Sequence, residues 1–373
     1  MENKIRIGNV GIVGFEDPLW MEDKIRQEHI AWFETIWSFF EQYGANVHTA
    51  DMFESWDELD YILVFRVDYK VFYRISKLNN NVKKIYFAIE PEVVKKEHNQ
   101  KNIKKLLNIF DMIITPFDDL VDYNKIFPCT VYENLVPDFG CIPFNDRRLL
   151  VNVSGYKHSF NRHELYSERI RLIKWFDKQI KCGKNKNEFD LFGQGKWQRI
   201  HSESYRGKAE NKIRLYHNYK FALALENSRG INGYMTEKLF DCFIAGIVPI
   251  YAGADNIEQY VPQNCYIDYF AFPSVEKLID YIRNMREEEY NGYISNIKNF
   301  IADPKLTYRW SADAWKEYLQ VIVQYDYRGS TAFQNNRKNK NVDVLAMRIK
   351  LISLFDRFDS NRNMKAIAKW LNS

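Results

Sequence analysis

The densest run of chemically useful side chains lies between Phe221 and Pro262. An apolar segment, Phe221-Ala-Leu-Ala-Leu225, stops at Glu226-Asn227-Ser228, and a loop containing Gly230 and Gly233 leads into Tyr234-Met-Thr-Glu-Lys238. Leu239, Phe240, Phe243 and Ile244 then recur at helical spacing, Gly246 ends that helix, and Val248-Pro-Ile-Tyr251 reads as the next buried strand. Strand, glycine loop, helix and strand form a βαβ unit, whose loop falls at the carboxyl end of a strand, where open α/β sheets bind ligands. The loop offers an amide, a hydroxyl, a phenol, a carboxylate and an ammonium beside a helix N-terminus, a place that favours phosphate. That combination suits a nucleotide sugar. Thr236 has the residue type of an N-cap. Glu226 either contacts the ligand or holds the loop together.

Sugar transfer from a nucleoside diphosphate needs a carboxylate base for the acceptor hydroxyl. It needs positive charge for the departing diphosphate, and hydrogen bonds to a donor sugar gaining oxocarbenium character. Many such enzymes hold a metal with D-x-D for the leaving group. This chain contains no D-x-D, so the charge is expected from Lys238 and from Arg169, each at a helix start. No cofactor is expected, and no metal for donor binding.

The elements that must position these residues alternate. Lys4 to Val13, Val47, Tyr61–Phe65 and Lys84–Ile89 read as strands, and Glu28–Tyr43 and Val71–Leu78 as helices, with Gly44 a C′ residue for the first. Leu106 to Thr115 supplies a helix end and a strand, and Thr130-Val-Tyr132 a further strand. The glycines at 8, 11 and 14 lack the G-x-G-x-x-G spacing and open no helix, so they suit a strand-end loop that another segment or the acceptor approaches. Pro137 to Arg148 reads as a linker. A second βα series begins at Leu149–Val153, continues through a charged helix from Glu164 to Ile180 and a strand at Phe189–Phe192, and closes with helices at Val275–Met285 and Tyr290–Phe300. Repeated βα alternation implies mostly parallel sheets covered by helices. Two such series, 1–145 and 146–328, followed by a basic helical tail at 329–373, suit an α/β protein of two Rossmann-like domains facing a cleft, the GT-B arrangement, which alternation alone does not separate from other paired Rossmann-like folds.

The length of 373 residues fits two domains and an extension, and 46 % hydrophobic residues can fill their cores. Aromatic residues reach 16 %; sugar clefts use such faces, though core filling accounts for most of them. Five cysteines without C-x-x-C spacing point away from zinc or a disulfide framework and towards a reducing cytosol, with Cys242 a packing residue. No signal peptide is read at Met1-Glu-Asn-Lys-Ile-Arg, and no apolar run reaches the roughly 18 residues of a membrane span. The net charge of +4 resides in the tail, where nine Lys and Arg face three Asp from Thr331 onward. Charge confined to the tail says nothing about the ligand of the body, and no nucleic-acid partner is expected. Val344, Met347, Leu351, Phe355 and Phe358 make an apolar helical stripe among Arg348, Lys350 and Arg357. Such a helix either binds an anionic membrane surface or packs on the body. The first alternative places the protein in the cytoplasm, peripheral to the inner face of the membrane.

Tyr219-Lys-Phe-Ala-Leu-Ala-Leu-Glu-Asn-Ser228, Gly233-Tyr-Met-Thr-Glu-Lys-Leu239 and Ala245-Gly-Ile-Val-Pro-Ile-Tyr-Ala-Gly253 together resemble the signature of the α-1,3/1,4-fucosyltransferases. That signature runs approximately Y-K-F-x-L-x-F-E-N-S, Y-x-T-E-K, then a small residue, V/I-P-I/V and G. Leu225 stands where an aromatic residue is more usual. The resemblance implies a GT-B fold, GDP-fucose as donor, an oligosaccharide acceptor and an inverting, metal-independent hexosyltransferase reaction, α-1,3 on GlcNAc of a surface glycan. It implies that the base is Glu90 at the end of Ile85-Tyr-Phe-Ala-Ile-Glu90, with Glu92 its competitor. Arg169, with Arg171 its rival, and Lys238 would bind the diphosphate. Glu237 would reach the donor ribose or fucose, and Asn227 and Tyr234 would make the other donor contacts. Phe15 to Trp37, on the acceptor side, carries no pattern that names the acceptor. Two other readings are another GDP- or UDP-sugar as donor, and a glycan-binding protein with a dead site; retention of Lys238 and Glu90 argues against the latter.

Overall fold

The computed structural model describes residues 5–14, 31–66, 68–130, 135–184, 187–194, 196–197 and 202–325. The basic tail, Glu28 to Ile30, Val131 and Tyr132 lie outside them. The chain divides into two compact units: one takes residues up to Thr115, 122–127 and the chain from Tyr318, and the other takes 116–121 and 128–317. The second unit thus starts earlier than the expected boundary at 145, because Pro137 to Arg148 packs on it. The Asp138 amide donates to the Ile244 carbonyl at 2.9 Å, and Arg147 donates to the Tyr290 hydroxyl at 3.0 Å.

In the first unit a sheet runs in the order β2-β1-β3-β4-β5-β6, from β1 (Asn9–Val13), β2 (Asn46–Thr49), β3 (Tyr61–Val64), β4 (Lys83–Phe87), β5 (Met112–Thr115) and β6 (Ile126–Pro128). β2-β1-β3-β4-β5 pair in parallel. Helix α1 (Ala31–Glu41) ends before Gly44, whose φ of 76° is the left-handed turn expected of a C′ glycine. α2 (Tyr69–Lys77) buries Phe72 and Ile75, and α3 (Gln100–Leu106) buries Ile103 and Leu106. β6 precedes the strand expected at Thr130-Val-Tyr132, of which only Thr130 is among the described residues.

In the second unit the order is β11-β10-β9-β7-β8, all parallel, from β7 (Arg148–Val153), β8 (Phe189–Phe192), β9 (Tyr219–Leu225), β10 (Val248–Ala252) and β11 (Ile267–Asp268). Both faces of β9 are buried, and its alternation divides them. Ala222 and Ala224 leave room for Leu239, Phe240 and Phe243 of helix α6 (Glu237–Ala245), which follows the short α5 (Lys212–Tyr216). Phe221, Leu223 and Leu225 pack on the other side with Leu172 and Phe176 of α4 (Tyr166–Lys181) and with Leu278 and Ile279 of α7 (Val275–Asn284). Gly246, at φ 68°, ends α6. Helices α8 (Glu287–Ala302), α9 (Pro304–Thr307) and α10 (Ala312–Gln324) complete the described chain. Strand order reverses at β7, so the loops after β7 and β9 flank the crevice of this sheet.

Candidate functional site

β9 delivers Glu226 to that crevice. Its amide continues the ladder by donating to the Ala252 carbonyl at 2.8 Å, and its side chain is fully buried. The carboxylate accepts from the Thr236 amide and from the Thr236 hydroxyl, both at 2.7 Å, and pairs with the Lys238 ammonium at 3.3 Å. Thr236 is the N-cap of α6: its oxygen accepts from the Lys238 amide at 3.5 Å and from the Lys238 ammonium at 2.9 Å. Of the two roles open to Glu226, this geometry supplies the one that holds the loop, because the contacts its carboxylate makes tie the end of β9 to the start of α6.

Lys238 is 19 % exposed and sits between Glu226 and the adjacent Glu237, 3.2 Å away. Burial favours the neutral amine, but the two carboxylates outweigh it and raise the Lys238 pKa. Partial desolvation opposes ionisation of Glu237, yet Lys238 and then Lys212 draw its carboxyl down to about 2. Glu237 is 48 % exposed, so solvent screens its pairing with Lys238 and the contact adds little stability. Lys212 is anchored on Asp241 at 2.8 Å.

Arg169, in the first turn of α4, reaches β9 from the other side of the crevice. It is buried, and its Nη2 donates to the carbonyls of Leu225 and Glu226 and, at 3.4 Å, to Asn227 Oδ1. Its guanidinium stands 5.3 Å from the Tyr166 ring centroid. Burial lowers its pKa, opposed by Tyr166 and Glu226. Arg171 points elsewhere: it is 65 % exposed and pairs with Glu168 at 2.8 Å. The structure therefore brings together Arg169, Glu226, Asn227, Thr236, Glu237 and Lys238, and leaves Arg171 outside the group. Tyr234 is buried, its ring edge-on to Phe117 at 6.0 Å.

The support of the glycine loop had no signature in the sequence beyond Gly233 itself. Gly233 has φ 81°, and a Cβ there would lie 2.3 Å from the Pro116 carbonyl oxygen. Its amide donates to Asn256 Oδ1 at 2.8 Å, and Asn256 donates to Asp118 Oδ2 at 2.9 Å. Tyr260 adds a hydroxyl bond to Asp118 at 2.7 Å, and Arg309 an ion pair at 3.1 Å. The Asp118 amide donates to the Asn232 carbonyl at 3.0 Å.

In the first unit, Glu90 stands just past β4. Ala88 is the last residue tied to β5, its amide donating to the Ile114 carbonyl at 2.8 Å and its carbonyl accepting from the Thr115 hydroxyl at 2.9 Å. Glu90 and Glu92 are both partly buried, and the Glu90 carbonyl accepts from His98 Nδ1. A cavity of about 160 Å³ that sequence reasoning missed lies where β1 and β3 end, lined by Gly14, Asp51, Trp56, Arg66 and Asp68 among others. Residues 15–30 of the stretch from Phe15 to Trp37 lie outside the described residues. Among the described residues no group of three or more His, Cys, Asp and Glu is placed to hold a metal. Cys242 is buried and unpaired, its thiol donating to the Lys238 carbonyl at 3.2 Å, as a packing residue would.

Residues 151–327 match the family model described as glycosyltransferase family 10 (fucosyltransferase) C-term. An α-(1,4)-fucosyltransferase of Arabidopsis thaliana is 41 % identical over 70 residues, 19 % of this chain and 17 % of the relative. A putative fucosyltransferase of Acanthamoeba polyphaga mimivirus is 35 % identical over 197 residues, 49 % of this chain and 31 % of the relative. These matches cover less than a third of either relative's length. The fold is shared with the crystal structure of an α1,3-fucosyltransferase with GDP-fucose, at a TM-score of 0.52 and 15 % identity over 86 % of this chain and 91 % of that one. Two parallel-sheet α/β units in this order make the GT-B fold expected from the sequence.

Proposed function

With residues 151–327 a domain of the fucosyltransferase family, we propose that the chain transfers L-fucose from GDP-fucose to a glycan hydroxyl. The observation that carries this reading is the bonded group Arg169–Glu226–Thr236–Lys238 at the carboxyl end of β9, inside the matched segment. Glu90 accepts the proton of the acceptor hydroxyl. The hydroxyl oxygen forms a bond to the fucose anomeric carbon on the face opposite GDP, the bond from that carbon to the diphosphate oxygen breaks, and its electron pair leaves with GDP. Inversion follows from this in-line displacement. Lys238, Arg169 and the N-terminus of α6 receive the growing negative charge, and no metal is required to do so. Asn227, Tyr234 and Glu237 orient the donor. The product is an α-1,3 linkage on GlcNAc of a surface glycan.

The test is incubation with GDP-fucose, GDP-mannose and UDP-glucose against GlcNAc- and galactose-terminated acceptors, with linkage and anomeric configuration read by NMR. Retention of configuration, or turnover with the other donors alone, overturns the reading. Glu90→Gln is expected to bind GDP and abolish transfer, and transfer is expected to survive chelator. The charge surplus after Thr331 supports attachment to an anionic membrane surface on the cytoplasmic side. A chain ending at Arg328 would then leave phosphatidylserine vesicles yet still modify a soluble acceptor, whereas undiminished vesicle binding would remove the tail from that role.

A further inference from the structure

We propose that His98 is a positioning residue for the acceptor-side base, closing the Glu90 loop by gripping the Glu90 carbonyl. The inference rests on the reading of Glu90 as that base. After β4 the chain turns at Pro91, whose carbonyl accepts from the amides of Val94 and Lys95, both at 2.9 Å, and then makes a short 3-10 turn at Lys96–His98. The turn brings the His98 ring back under the loop's own start. The ring is buried, and both nitrogens are used: Nδ1 on the Glu90 carbonyl, Nε2 on the Tyr86 hydroxyl at 2.5 Å. Tyr86 is a buried residue of β4, stacked on Phe110 at 5.0 Å with its ring edge-on to His98 at 5.6 Å.

The partners assign the tautomer. A carbonyl oxygen only accepts, so Nδ1 carries the proton, and Nε2 must accept from the Tyr86 hydroxyl. Burial keeps the ring in this neutral form by pushing its pKa down to about 4, although the Glu90 carbonyl opposes the shift. A buried histidine with satisfied nitrogens is ordinarily a packing residue. Here the gripped atom belongs to the peptide of the base itself, so freeing it lets the Glu90 backbone turn and moves the root of the carboxylate. A base acts only within hydrogen-bond reach of its proton, and a shift of about 1 Å can cost about 10²-fold.

Two substitutions in the full chain separate the grips. The amide of His98→Asn sits where Nδ1 does and keeps the donor to Glu90; that of His98→Gln reaches the Nε2 position and keeps only the Tyr86 contact. The expected result is a kcat about 10²-fold lower for His98→Gln, and nearer wild type for His98→Asn and Tyr86→Phe, with KM for GDP-fucose and Kd for GDP unchanged in all three. Wild-type kcat in His98→Gln, equal losses in His98→Gln and His98→Asn, or weakened GDP binding would each overturn the proposal. Should His98→Gln fail to fold, a large kcat loss in Tyr86→Phe or His98→Asn overturns it equally well. Normal turnover by Glu90→Gln would instead sink the reading of the base, and the positioning role with it.

Discussion

Glu226→Gln is the substitution that most directly tests how the donor loop is built. The carboxylate accepts two hydrogen bonds of 2.7 Å from Thr236 and faces the Lys238 ammonium at 3.3 Å, with no solvent exposure. Glutamine has nearly the same volume, so the loss is electrostatic. Its carbonyl can still take the Thr236 amide, but its NH₂ group then points at a hydroxyl that was donating and at a cation. Removing one partner of a buried ion pair costs about 3–5 kcal/mol, because the other charge stays behind uncompensated. Partial exposure of Lys238 puts the expected cost near the lower end, about 3 kcal/mol. For a domain of this size each kcal/mol lowers Tm by about 2–4 °C, so the shift should be about 6–12 °C in differential scanning calorimetry. Donor affinity should fall as well, as the start of α6 loosens. An unchanged Tm together with a large loss of GDP-fucose affinity would refute the reasoning, since it would make Glu226 a ligand contact instead of a strut.

Lys238→Ala should weaken GDP-fucose binding about 10–100-fold, the range for a charge-assisted contact, and an unchanged Kd by calorimetry would remove Lys238 from the diphosphate. Gly233→Ala should destabilise the second unit by about 1–3 kcal/mol and loosen the donor loop, because φ is 81° and the new Cβ would meet the Pro116 carbonyl; a wild-type urea midpoint would contradict this. Acid should weaken the first unit through His98, whose pKa is lowered in the fold from 6.5 to about 4. Above 6.5 the ring is neutral whether the chain is folded or not, and its stabilising contribution is whole. As pH falls towards 4 the unfolded chain takes up the proton first, and about 3 kcal/mol is lost across that window. Urea melts at pH 7 and pH 4.5 should show the loss, and His98→Asn should flatten it.

The βαβ core of the site was legible because its residues satisfy local rules at every step. Ala222 and Ala224 alternate with larger residues in a strand buried on both faces, Thr236 has the chemistry of an N-cap, and Gly246 takes the left-handed conformation that ends α6. Arg169 and Arg171 could not be separated that way. Two residues along a helix turn a side chain by about 200°, so one of the pair had to face β9 and the other solvent, but only the packing of α4 shows which. The network around Asp118 was hidden for a different reason. Asn256, Tyr260 and Arg309 meet an aspartate more than a hundred positions earlier in the chain, and no local pattern encodes a meeting at that separation. His98 gave no signal either, since its role depends on a loop folding back onto its own first residue.

The charges at the donor loop are already matched before any ligand arrives. Lys238 faces Glu226 and Glu237, Lys212 faces Asp241, and the Arg169 Nη2 is spent on carbonyls at the end of β9. A diphosphate therefore brings negative charge that one of these carboxylates must make room for. Glu226 and Asp241 are buried and bonded in place, so neither can withdraw without the cost of a broken buried pair. Glu237 can, because nearly half of its side chain is in solvent and its attraction to Lys238 is screened. In the proposed reaction the adjacent Glu237 and Lys238 part as the donor enters, the carboxylate to a hydroxyl of the sugar or ribose and the ammonium to phosphate. Until then the carboxylates keep the ammonium protonated despite its burial, so the cation is in place when the leaving group's charge develops.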